Sequence, residues 1–82
     1  MYIIRMSPTV FRVWNLRIVV YPKDHKPAHV HVIGPEAEAK FDILTLECTE
    51  SRGFSEKSLR KIKSYLESRK KRLMEVWYEI EE

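Results

Sequence analysis

The chain has 82 residues, 44% of them hydrophobic and 33% charged, with a formal net charge of +3. A chain this short buries only roughly 60–65% of its unfolded surface, so it holds one modest core, and a single domain over residues 1–82 is expected. The lone cysteine, Cys48, excludes an intrachain disulfide, and no apolar run approaches the ~20 residues of a membrane span.

Residues 1–5 are too short for a signal-peptide core, and Arg12 and Arg17 soon interrupt the apolar pattern. The expectation is a soluble cytoplasmic protein with no membrane partner. Glutamine is absent, and Asn15 is the only asparagine among many Lys, Arg and Glu. That balance is the one heat-adapted proteins carry, and it points to a thermophile.

Residues 10–14 are β-rich and end at Asn15, a turn residue. Residues 16–21 form the clearest strand, dense in β-branched side chains and ended by Pro22. After a loop over 22–28, residues 29–33 alternate strictly. Val30 and Val32 take one face, His29 and His31 the other. Gly34-Pro35 marks a turn into a further strand over 37–43.

A two-residue hairpin loop would set His29 opposite Lys40, and a four-residue loop would set it opposite Asp42. Either register keeps both histidines on the side of Lys40 and Asp42, because the side-chain period is two. Residues 44–49 are read as a fourth strand after a bend, with Leu44, Leu46 and Cys48 in phase and Cys48 a buried structural thiol. Ser55 is a good N-cap, and Phe54 with Leu59 fits a hydrophobic staple. From Glu56 to about Glu81 the apolar positions keep a helical period. A single helix of that length would span ~39 Å, so it either kinks near Ser68 or projects. A projecting end would make Trp77 and Ile80 a homodimer or partner surface. The fold class is α+β: an antiparallel sheet of about four strands, with a long or kinked C-terminal helix packed on one face.

The chemistry concentrates in Asp24-His25-Lys26-Pro27-Ala28-His29-Val30-His31, which holds all three histidines. His25, His29, His31 and Asp24 are sufficient ligands for a divalent, zinc-like metal. On the sheet face, His25, His29 and His31 also have the parts for phosphodiester cleavage without metal. One imidazole would act as base on a 2′-hydroxyl and another as acid on the leaving oxygen. Arg17 or Lys40 would stabilise the charged phosphorane, with Asp42 orienting a ring. A plain solvated polar face is the simpler alternative. Arg60, Lys63, Lys70, Lys71 and Arg72 could meet a phosphate backbone, and would serve an acidic protein partner equally well.

The histidine stretch resembles the signature of a small prokaryotic family, domain of unknown function 4160, which usually reads D-H-x-P-P-H-F-H. The likeness continues through the strand at Arg17, the Ala39-x-Phe41-x-Ile43 pattern, residues 59–65 and the pair Leu73 and Trp77. Ala28 stands for the usual second proline and Val30 for the aromatic. A Thr-Gly turn common after the third strand is replaced by Leu44-Thr45-Leu46. The resemblance implies a small gene product with a small cognate protein partner, in the style of toxin–antitoxin pairs. The function expected on these grounds is a toxin–antitoxin-like component acting on RNA. The alternative is a non-catalytic module for an acidic partner or nucleic acid, with or without a metal on the histidines.

Overall fold

The computed structural model describes residues 9–21 and 27–78, so Asp24, His25 and Ile80 lie outside the described residues. The element order is β1 (Thr9–Val13), β2 (Leu16–Val19), β3 (His29–Ile33), β4 (Glu38–Asp42), β5 (Cys48–Arg52), α1 (Glu56–Ser68) and α2 (Lys70–Trp77). The strands form one antiparallel sheet in the order β1-β2-β3-β4-β5, with each strand beside its neighbour in the chain. The class is α+β as expected; among the described residues there are five strands in place of about four, and the C-terminal helix takes the kinked form, broken at Arg69 into two.

Trp14 and Asn15 join β1 to β2 at φ 50° and 65°. Two positive φ values in a two-residue loop make the hairpin turn whose twist matches the flanking strands. The β3–β4 hairpin takes the four-residue register. Val30 lies opposite Phe41, His31 opposite Lys40 and His29 opposite Asp42. The Gly34 amide donates to the Ala37 carbonyl at 2.8 Å and closes that loop.

The segment read as a fourth strand over 44–49 divides differently. Asp42 Oδ1 accepts from the Leu44 and Thr45 amides at 2.8 and 2.9 Å, and the Leu46 amide donates to the Asp42 carbonyl at 2.8 Å. A carboxylate capping its own downstream amides builds a turn, and pairing resumes only at Cys48. Leu46 is buried at φ 65°, while Leu44 is exposed. Cys48 is exposed, contrary to the buried thiol expected. It opens an edge strand whose five residues are all exposed, and Sγ donates to the Glu50 carbonyl at 3.3 Å.

Ser55 caps α1 by accepting from the Ser58 amide at 3.1 Å. Thirteen residues give α1 ~20 Å. Ser68 Oγ donates to the Tyr65 carbonyl at 2.6 Å, and the Arg69 amide donates to Leu66. Arg69 leaves helical geometry at φ −116°, and α2 starts at Lys70. Lys70 Nζ then donates to the Leu44 carbonyl at 2.6 Å, tying α2 to the β4–β5 turn.

The core lies between the helices and one sheet face. Ile18, Val20, Val30, Val32, Phe41, Ile43, Leu66 and Leu73 are all essentially inaccessible there, with Ile62 and Trp77 beside them. A second layer fastens α1 to the first hairpin. Lys61, Tyr65 and Arg69 recur every four residues and so share one helix face. Lys61 Nζ lies 4.6 Å from the Trp14 ring centre, and the Arg69 guanidinium 4.7 Å from that of Tyr65. Tyr65 meets Trp14 and Phe11 edge-on. Among the described residues no helix is long and apolar enough to cross a membrane.

Candidate functional site

Strand alternation sends two rows of side chains out of the sheet face opposite the helices. One row runs Arg12, Arg17, Ile33, Glu38, Arg52 across all five strands, each residue opposite the next. The next row runs Val19, His31, Lys40, Glu50 from β2 to β5. The histidine parity expected from sequence is therefore realised in the backbone.

The side chains of the two histidines behave differently. His29 is 6% exposed, although its strand position belongs to the polar face. Its ring centre lies 5.2 Å from that of Trp77 and 5.2 Å from that of His31. The ring sits at the start of β3, where the last turn of α2 reaches it. Nδ1 is 2.9 Å from the Pro27 carbonyl oxygen. A carbonyl only accepts, so Nδ1 carries a proton. His29 is thus a packed, oriented ring, which corrects the expectation that both histidines stand on an open face. Val19 in the adjacent row is also fully buried.

His31 is half-buried and reaches the surface. Its ring meets Tyr21 edge-on at 5.3 Å on one side and His29 on the other. It lines a depression of about 390 Å³ together with Glu38, Lys40, Glu50 and Arg52. Arg52 pairs with Glu38 at 2.7 Å, an exposed ion pair that fixes the rim more than it stabilises the fold. Lys40 stands between His31 and Glu50, one inter-strand spacing of ~4.8 Å from each. A cation between an imidazole and a carboxylate is an arrangement suited to an anion flanked by a proton donor and a proton acceptor.

Glu50 and Arg52 are absent from the residues singled out by sequence. Placing the last strand at 44–49 cut them off, and Thr49 to Arg52, all polar and all exposed, carry no apolar alternation that marks a strand. Asp42 lies opposite His29 in register, but its Oδ1 is engaged by the turn amides. Arg17 lies one row away from His31, on β2. The basic helical residues separate into two groups. Lys70 is held by the Leu44 carbonyl, and Arg72 lies 3.4 Å from Glu75. Arg60, Lys63 and Lys71 are exposed.

Among the described residues no three His, Cys, Asp or Glu side chains gather closely enough to hold a metal ion. The ligand set read from sequence also includes Asp24 and His25, which lie outside the described residues.

Fold and site together define a small α+β protein whose five-stranded antiparallel sheet is covered by helices on one face and carries a polar depression on the other. The chain belongs to the family described as Domain of unknown function (DUF4160), whose match spans residues 15–78 and so takes in β2 through α2. Comparison with curated proteins and with solved structures gave no match.

Proposed function

We propose that this protein acts on RNA, with the row His31, Lys40, Glu50 as its reacting groups. The observation that carries the reading is that these three residues occupy directly opposed positions on three neighbouring strands and line one depression. Glu50 accepts the proton of a ribose 2′-hydroxyl, and that oxygen attacks the adjacent phosphorus. Lys40 stabilises the charge on the non-bridging oxygens, with Arg52 at the rim. Protonated His31 gives its proton to the departing 5′-oxygen. The products are a 2′,3′-cyclic phosphate and a 5′-hydroxyl. His29, packed behind His31, holds its ring in place. The reaction needs a 2′-hydroxyl, so DNA and 2′-O-methyl RNA stay intact.

The test is incubation with end-labelled single-stranded RNA. Formation of a cyclic phosphate is expected, with a loss of about 10²–10⁴ in rate for His31→Ala or Lys40→Ala. Wild-type protein that leaves such RNA uncut, or variants that cut it as fast, would sink the catalytic reading.

A second reading, a binding module for an acidic cognate protein, is favoured by the exposure of Arg60, Lys63 and Lys71 on the helices. The partner would be of the small, gene-paired kind. Neutralising those three residues would then abolish capture of the partner and leave RNA cleavage unchanged.

A further inference from the structure

Strand β5 is an edge of the sheet, and among the described residues no strand pairs with its outer side. All five of its residues are exposed, so neither described helix covers it. An edge strand presents a row of amide and carbonyl groups to any strand laid along it, and edges are commonly blunted by proline or lysine. Residues 48–52 hold neither. They hold one acid and one base, Glu50 and Arg52, two positions apart and therefore on one face. Glu50 lies opposite Lys40 and Arg52 opposite Glu38, on the face away from the helices. The regular part of the strand runs from Glu50 to Arg52, between the irregularity that precedes Glu50 and Gly53 at φ 87°.

A strand with this pattern is complementary to itself. In an antiparallel pair about a twofold axis normal to the sheet, opposed residues share a face, so the axis passes through one residue opposed to its own copy. An axis through Glu50 sets carboxylate against carboxylate, and one through Arg52 sets guanidinium against guanidinium. An axis through Ser51 sets Glu50 against Arg52 of the second copy, twice. We propose that two copies of the chain associate through β5, antiparallel about Ser51, into one continuous sheet. Across the junction the charged row reads Lys40, Glu50, Arg52, Glu38, the last two from the second copy, with the sign alternating at every step. Arg52 pairs with Glu38 at 2.7 Å, yet its side chain stays 70% exposed. A guanidinium has five N–H donors and can serve Glu38 of its own copy and Glu50 of the other together. Opposite charges directly across strands attract and like charges repel, so the pattern selects the register as well as the partner. A strand of another sequence would need the same acid and base in the same order, which a second copy has by symmetry. The two depressions lined by His31 and Lys40 then share one groove, with their β4 strands three inter-strand spacings, roughly 14 Å, apart. The association rests on the edge strand and holds whether or not RNA is cleaved.

Sedimentation equilibrium of the full chain at rising concentration reads the association, and circular dichroism verifies that each variant is folded. A monomer–dimer equilibrium is expected. Glu50→Arg sets arginine against Arg52 at both positions, and Arg52→Glu sets glutamate against Glu50 at both. Loss of the two favourable pairs alone should weaken the dimer roughly twofold to thirtyfold, and the repulsion adds to that. Mixing the two variants restores opposite charges at both positions, so a heterodimer should form at concentrations where each variant alone is a monomer. Ser51→Cys in a Cys48→Ser background should form an interchain disulfide on mild oxidation, because directly opposed Cα atoms lie about 4.5–5.5 Å apart. Cys48 of the native chain would lie opposite Phe54, roughly 20 Å from its own copy, and should not crosslink.

A wild-type chain that stays monomeric at ~1 mM would overturn the assignment. So would folded charge-reversal variants that dimerise as well as the wild type or fail to rescue each other, since another surface would then hold the copies together. A dimer that Ser51→Cys leaves uncrosslinked has another register, and the assignment falls with it.

Discussion

Replacing His29 and His31 by alanine, one at a time, separates a packed ring from a working one. His29 is 6% exposed, packs with its ring tilted against Trp77 and places Nδ1 2.9 Å from the Pro27 carbonyl. His29→Ala removes that hydrogen bond, worth about 1 kcal/mol. It also leaves a cavity under Trp77 where a ring had packed, which adds on the order of 1–2 kcal/mol for a group of this size. The total of about 2–3 kcal/mol corresponds to a fall in Tm of roughly 8–24 °C for a chain of this length. His31 is half-buried, so His31→Ala should cost no more than about 1 kcal/mol while removing the proposed acid. Thermal denaturation followed by circular dichroism, beside the cleavage assay, reads both effects. A Tm for His29→Ala no lower than that of His31→Ala would refute the assignment of His29 as the packed ring.

Gly53 sits at φ 87°, and a Cβ there would lie 2.6 Å from the Glu36 carbonyl oxygen and 2.8 Å from Ala37 Cβ. The Glu36–Ala37 backbone and the short Ala37 Cβ leave no flexible side chain to yield, and the left-handed conformation alone costs about 1–2 kcal/mol. Gly53→Ala should therefore destabilise by about 2–4 kcal/mol in urea unfolding. A midpoint like that of the wild type would show that β5 and α1 meet in another way. Asp42→Ala removes the acceptor for two turn amides and should cost about 1 kcal/mol. Asp42→Asn keeps an oxygen in place and should recover most of it, with cleavage little changed. Asparagine and alanine variants of equal stability would remove the turn from Asp42's role.

The legibility of the chain differs from element to element. The β2, β3 and β4 strands were readable because alternation at Val30, Val32, Ala39 and Phe41 is strict and a one-residue slip would expose all of them. The Ser55 cap was readable because a hydroxyl before a helical apolar period has one favourable use. The last strand was not. Leu44, Leu46 and Cys48 share a parity, and sequence alone cannot show that Asp42 turns back on Leu44 and Thr45 and exposes Leu44 and Cys48. With that strand misplaced, Glu50 and Arg52 were missed.

By itself, then, the sequence determined the α+β class, the common face of His29 and His31, and which side of the sheet the core would use. Periodicity is local, and local geometry enforces it. Only the tertiary structure decided the four-residue register that sets His31 against Lys40, the arrival of Glu50 beside Lys40, and the burial of His29 under Trp77. The register follows from the loop that the Gly34 amide closes on Ala37, and the other two from where the chain turns at Asp42 and Arg69, 27 residues apart in sequence. Each brings residues distant in sequence together, a property of the packed whole that no single stretch encodes.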